Sequence, residues 1–172
     1  MGITLNQLLN DLGRTCGLLE QQLFGVHIDS ARRQSSGAVV IDFFFDPPPE
    51  LAAAGYCTER GRIAVTASGQ VASFPLGSVG RRWKHRNGSP LGPIFDHLGG
   101  DLCLWYRHDP RGLRWEWDDG FEQYVTRVHR HLFFEEYWRR TGEWPFEDAP
   151  HGEPAAGVHP VLTRQMRKAA KQ

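Results

Sequence analysis

The sequence predicts an α+β fold on three observations. A leucine stripe at helical spacing opens the chain, four short β-rich runs separated by turn residues follow it, and a second long helical pattern begins near residue 118. At the start, Thr4 and Gln7 have the spacing of a capping box, in which the threonine hydroxyl accepts a free helix amide and the glutamine reaches back. Leu5, Leu8, Leu9, Leu12, Cys16, Leu19 and Leu23 then keep three-and-four spacing, which predicts a single helix closing near Gly25. Gly13 and Gly17 weaken its interior, so packing against the rest of the chain must hold it. Cys16 lies within the stripe and reads as a small buried apolar side chain.

Val26–Ala31, Ala38–Phe45, Arg62–Ala67 and Gln70–Phe74 are the β runs. Arg32–Gly37 supplies a polar turn after the first, the triple proline Pro47–Pro49 stops the second, and Ser68-Gly69 turns the third into the fourth. The arrangement predicts an antiparallel four-stranded meander. Gly77–Pro93 is a loop with a basic cluster, Arg81, Arg82, Lys84, His85 and Arg86. Such a cluster either binds a phosphate or acidic tail, or is a solvated loop with Trp83 tucked inward; the second is the expected state. Asp118 or Asp119 caps the closing helix, whose buried face is Phe121, Tyr124, Val125, Val128, Leu132, Tyr137 and Trp138, up to Thr141-Gly142. The organisation is one domain over residues 1–152, with a linker and basic tail over 153–172.

The 172 residues carry 20 basic and 20 acidic side chains, 40% hydrophobic and 12% aromatic residues, a globular composition. Zero net charge removes the global electrostatic argument for nucleic acid, which is not an expected partner. No apolar run is long enough to cross a membrane, and the N-terminus carries neither an export signal nor a myristoylation pattern. Three cysteines without CxxC spacing suit reduced thiols, so a cytoplasmic location is expected. His129 and His131 stand two apart on a helix and point to different faces, which makes a poor metal pair.

The charge is unevenly laid out. Residues 101–150 hold 11 acidic and 7 basic side chains, five of the six tryptophans follow residue 100, and the last twelve residues carry four cations and no acid. Within the acidic, tryptophan-rich segment stands Cys103. It follows a Gly99-Gly100-Asp101 turn instead of lying inside a periodic stripe, and a loop beside a scaffold gives a thiol access. His97, His108, and the pair His85 and Asn87 are its candidate activators in sequence. By spacing alone, a cysteine beside Leu104 and Trp105 equally reads as buried structure.

The run Gly99-Gly100-Asp101-Leu102-Cys103-Leu104 resembles the segment around the active cysteine of ubiquitin-conjugating enzymes. The order of helix, meander, proline-rich loop, cysteine and long helix is similar to theirs. CLWYRHDPRGLRW, HLFFEEYWRRTGEW and Asp148-Ala149-Pro150-His151-Gly152 look like bacterial relatives encoded in antiphage defence operons, beside an activating enzyme, a ubiquitin-like protein and a metalloprotease deconjugase. The close likeness covers residues 83–152, and the fold-level likeness residues 3–152. The resemblance implies a ubiquitin-conjugating-enzyme-like fold and a transferase that takes the ubiquitin-like protein as a thioester on Cys103 and hands it to a target amine. Its partners would be the activating enzyme, the ubiquitin-like protein and a protein target.

The likeness is partial. Phe95 stands where the family's His-Pro-Asn triplet has its asparagine, so the triplet is absent and His85, Asn87 and His97 remain as candidates for its role. Trp105 takes the place of an acidic residue that assists the incoming amine, a role left to Asp109, Asp118 or Asp119. His151 is either catalytic or a cap of its loop. The competing readings are an inactive scaffold of the same fold and a Cys-His hydrolase using His85, His97 or His151 as base.

Overall fold

A computed structural model describes residues 2–77, 81–86, 100–105 and 111–145. Asn87, His97, His108, Asp109, His151 and the tail lie outside the described residues. Among the described residues, four helices, a 3-10 turn and a four-stranded sheet follow one another: α1 Leu5–Asn10, α2 Leu12–Gln22, β1 Val26–Arg33, β2 Val39–Phe45, α3 Pro49–Ala53, β3 Glu59–Val65, β4 Val71–Pro75, the 3-10 turn Trp117–Asp119 and α4 Phe121–Thr141. The architecture is α+β: N-terminal helices, an antiparallel sheet in the order β1-β2-β3-β4 and a C-terminal helix, with residues of both sets of helices in one core cluster with the sheet.

The N-terminal stripe is two helices, not one. The Thr4–Gln7 capping box forms, but the backbone leaves the helix at Asp11, whose side chain accepts the Arg14 amide and caps α2. An aspartate that can satisfy a free amide locally favours a new helix start over continuation. The apolar spacing survives the break because both pieces dock on one core. Leu8 and Leu19 are fully buried there, and Cys16 is half-buried beside them.

Strand positions differ from the sequence reading by a few residues. β1 runs on to Arg33, through the expected turn, because Arg33 pairs with Val39; a bulge between Ile28 and Ser30 takes up the extra residue. β3 starts at Glu59, where the polar Glu59, Arg60 and Gly61 pair with the aromatic end of β2. Alternation then separates the faces. Val39, Ile41, Phe43 and Phe45 of β2 enter the main core with Phe121, Tyr124, Val125, Val128 and Leu132 of α4, while Val40 joins Ala64, Ala72 and Phe74 on the other face. On that second face Asp42 takes Arg62 in a fork at 2.6 and 2.8 Å. Burial pushes its carboxyl up, but the hydrogen bonds and charge of Arg62, with Ser30 and Arg32, outweigh it and hold the group below the usual range. The short α3 was not foreseen from Pro47–Pro49; proline fits a first helical turn, and here it starts a helix where it was read only as a strand stop.

The start of α4 is also corrected. Asp118 and Asp119 lie in the 3-10 turn before it, and Asp119 accepts the Glu116 amide at 2.9 Å. The α4 N-cap is Gly120 at φ +88°, a conformation that favours glycine, with no side-chain cap. The helix closes as the sequence predicts, on Gly142 in the left-handed region. Its buried face includes Phe121, Tyr124, Val125, Val128 and Leu132 as expected, together with His131, Phe133 and Glu135; Tyr137 and Trp138 are only partly covered.

Candidate functional site around Cys103

Residues 100–105 form a strap held between the sheet edge and a second strap, residues 81–86. Leu102 donates its amide to the Ser73 carbonyl of β4 at 2.7 Å and forms an isolated antiparallel bridge with Arg86. Cys103 donates its amide to the His85 carbonyl at 3.1 Å. Gly100 sits at φ +89°, and its carbonyl accepts both Nε and Nη2 of Arg86, at 3.2 and 2.7 Å. The turn before the cysteine is therefore fixed by a glycine conformation and a guanidinium together. The side chain of Leu102 goes into the core, that of Cys103 is half-buried, and its Sγ lies 3.6 Å from the Trp105 carbonyl oxygen.

The 81–86 strap is itself anchored to α4. Glu135, fully buried, accepts the Lys84 amide on Oε2 at 2.8 Å and the His85 amide on Oε1 at 2.7 Å, and His131 Nε2 lies 3.5 Å from that same Oε1. Burial pushes the Glu135 carboxyl up, but the bonds from His131 and the two amides outweigh it and hold the group below the usual glutamate range. Arg81 forks onto Glu59 and reaches Glu136 at 2.8 Å. Trp83 lies under the guanidinium groups of Arg139, Arg81 and Arg86, 4.7, 5.3 and 6.0 Å from its ring centre. The expectation of a solvated basic loop is thus corrected: Trp83 is tucked in, but Arg81 and Arg86 are spent on the protein's own carboxylates and carbonyls.

Of the sequence candidates, the structure brings His85 to Cys103, and it does so through the backbone. The His85 ring packs against Trp144 at 4.3 Å and edge-on to His131 at 6.2 Å. Asn87 and His97 fall outside the described residues, so neither is placed. Three backbone amides near the thiol are engaged: those of Leu102, Cys103 and Leu104 donate to Ser73, His85 and Leu102. The oxyanion of an acyl group attacked by Sγ would have to draw its donors from groups other than these three amides.

Sequence reasoning missed Glu135 and Asp101. Glu135 was legible, since it continues the spacing of Val128 and Leu132 and a carboxylate on an apolar stripe signals a buried partner. Asp101 carried no such signal. It is 9% exposed, and its Oδ1 has no hydrogen-bond partner. Burial raises its carboxyl to about 6, against the opposing pull of its own backbone amide and of Arg86. A raised acid pKa means that the folded state holds the proton more tightly than the unfolded one, so stability falls as pH rises through the interval from about 4 to about 6. The loss above that interval is about 2 kcal/mol once solvent screening is allowed for. Asp101→Asn should therefore raise the melting temperature at pH 7.5 and leave it nearly unchanged at pH 4. An equal shift at both values would remove this account.

Among the described residues no group of three histidine, cysteine or acidic side chains is placed to hold a metal ion. No helix of the described residues is long and apolar enough to cross a membrane. Neither a protein-family model nor a curated protein matches the chain.

Proposed function

We propose that the chain is a ubiquitin-conjugating-like transferase with Cys103 as its acceptor thiol, probed best by its capacity to carry an acyl group. What supports the reading is one observation: a half-buried cysteine on a strap pinned by backbone bonds to both β4 and the 81–86 segment. A nucleophile held this way keeps its place while a large partner docks. In the first step the Cys103 thiolate attacks the thioester carbonyl linking the ubiquitin-like protein to its activating enzyme. The new S–C bond forms as the enzyme's own S–C bond breaks, and that sulfur leaves as a thiolate. In the second step a target amine attacks, the Cys103 S–C bond breaks, an amide forms, and the nitrogen's proton passes to a base. No cofactor enters either step. The work belongs to the cytoplasm, where thiols stay reduced, and to antiphage defence.

His85, Asn87 and His97 are the side chains proposed to assist, by supplying the oxyanion donor that the engaged amides do not. Those engaged amides, with the missing His-Pro-Asn triplet, also favour a second reading, an inactive scaffold of the same fold that binds the same partners. The two separate in one experiment. The chain is mixed with ATP, a bacterial ubiquitin-activating-like enzyme and the ubiquitin-like protein which that enzyme activates. The transferase reading expects an adduct that a thiol reductant removes; binding with no adduct supports the scaffold, and neither binding nor adduct overturns both.

A further inference from the structure

A groove of about 440 Å³ is lined by Trp105, Trp115, Trp117, Glu116 and Asp118 together with the start of β4. The rings of Trp115 and Trp117 meet edge-on, 5.0 Å apart at 66°, so the two indoles form a corner. Their N–H groups are already used: Trp115 Nε1 donates to the Gly120 carbonyl and Trp117 Nε1 to the Gly69 carbonyl, each at 2.8 Å. Trp115 is buried, 7% exposed, and backs the corner, while Trp117 stacks one face on Phe121, so a ligand would meet the half-buried Trp105 and the remaining face of Trp117, with no donor from Trp115 or Trp117. A π face carries negative charge density, and the charged side chains of the lining are both carboxylates.

Elsewhere the protein covers such faces with its own cations. Arginines lie over Phe44, Tyr56, Trp83, Phe134 and Trp138. Among the described residues none lies over Trp105, Trp115 or Trp117. The nearby guanidinium groups already serve one carboxylate of the lining: Arg111 holds Glu116 at 3.0 Å and Asp119 at 3.1 Å, and Arg114 approaches Glu116 at 3.8 Å. Asp118 is exposed and forms no ion pair among the described residues, although the charge of Arg111 reaches it, so it is the carboxylate of the lining that no guanidinium holds directly.

We infer that this groove binds a cationic side chain, lysine or arginine, presented by a protein partner. The aliphatic stem would lie along the indole faces and the charged head would meet Asp118. Binding needs no acyl group on Cys103, so the inference stands apart from the transferase reading.

The test is a titration of the full chain, ¹⁵N-labelled, with capped pentapeptides Gly-Gly-X-Gly-Gly in which X is lysine, arginine or norleucine. Saturable shifts of the Trp115 and Trp117 indole resonances are expected with lysine and arginine. The norleucine peptide, which keeps the stem and loses the charge, should bind at least about fivefold more weakly, as should the lysine peptide to Asp118→Asn. Trp105→Ala should weaken binding by about two- to fivefold for one lost face. Because Asp118 is exposed, its variant reports even where the tryptophan variant fails to fold. Cys103→Ala should bind unchanged. Equal binding of norleucine, an unaffected Asp118→Asn, or an absence of saturable shifts at these indoles would each overturn the inference.

Discussion

Cys103→Ala is expected to abolish the reductant-sensitive adduct completely, while Cys16→Ala and Cys57→Ala retain it. The three thiols differ in setting more than in exposure. Cys16 sits on α2 in the apolar stripe, where burial, and then the charge of Glu20, push its thiol up and away from the thiolate that attack requires. Cys57 is exposed, with its Sγ 3.9 Å from the Gly55 carbonyl, and lies in the short segment between α3 and β3. Cys103 alone stands on a strap whose two neighbours in the fold, β4 and residues 81–86, fix the backbone on either side of the sulfur. Losing a covalent nucleophile removes the step outright, so the change should exceed about 100-fold and in practice reach the detection limit. Cys103→Ser sharpens the result: any adduct it forms would be an oxygen ester, which a thiol reductant does not cleave. Intact mass with and without reductant reads all four proteins. An adduct that persists in Cys103→Ala and vanishes in Cys16→Ala or Cys57→Ala would remove the assignment.

The sheet was legible because its signals are local. β-branched and aromatic alternation at Val39–Phe45 and a Ser68-Gly69 turn are decided within a few residues, and the structure places Gly69 at φ +85° as such a turn requires. The break at Asp11 and the displaced start of α4 were not, since each is settled by a competition between caps whose energies differ by about 1 kcal/mol or less. The fate of the basic cluster was illegible for another reason. Arg81 finds Glu59 and Glu136, twenty-two and fifty-five positions away, and no window along the chain pairs them. Cys103 was located by its turn, but what holds it was not: Ser73, His85 and Glu135 come from three separate elements. Long-range partnership is the part of a site that a single sequence hides, and buried carboxylates on apolar faces are its most readable trace.

Glu135 is that trace, and its removal is the largest structural effect expected from one substitution at this site. Glu135→Ala takes away the acceptor of two backbone amides, Lys84 and His85, and the partner of His131, in a place with no exposure to water. Each orphaned buried donor costs about 1–3 kcal/mol. A total near 3 kcal/mol, and a fall in melting temperature of roughly 10 °C, follows for a chain of this size. The damage should not stay local. The amide of Cys103 depends on the carbonyl of His85, so a strap freed from α4 loosens the cysteine as well. Hydrogen exchange at Lys84, His85 and Cys103 should accelerate more than exchange in β2. Glu135→Gln separates the charge from the hydrogen bonds, because its amide oxygen still accepts. Since the wild-type carboxyl is held below the ordinary glutamate value, its charge stabilises the fold above about pH 4.5, and that stabilisation is lost as pH falls through the lower folded value. The glutamine variant should therefore be closer to wild type at low pH than at neutral pH, whereas the alanine variant should remain weaker at both. A loss below about 1 kcal/mol in Glu135→Ala, or unchanged exchange at Cys103, would mean that α4 does not hold the thiol in place.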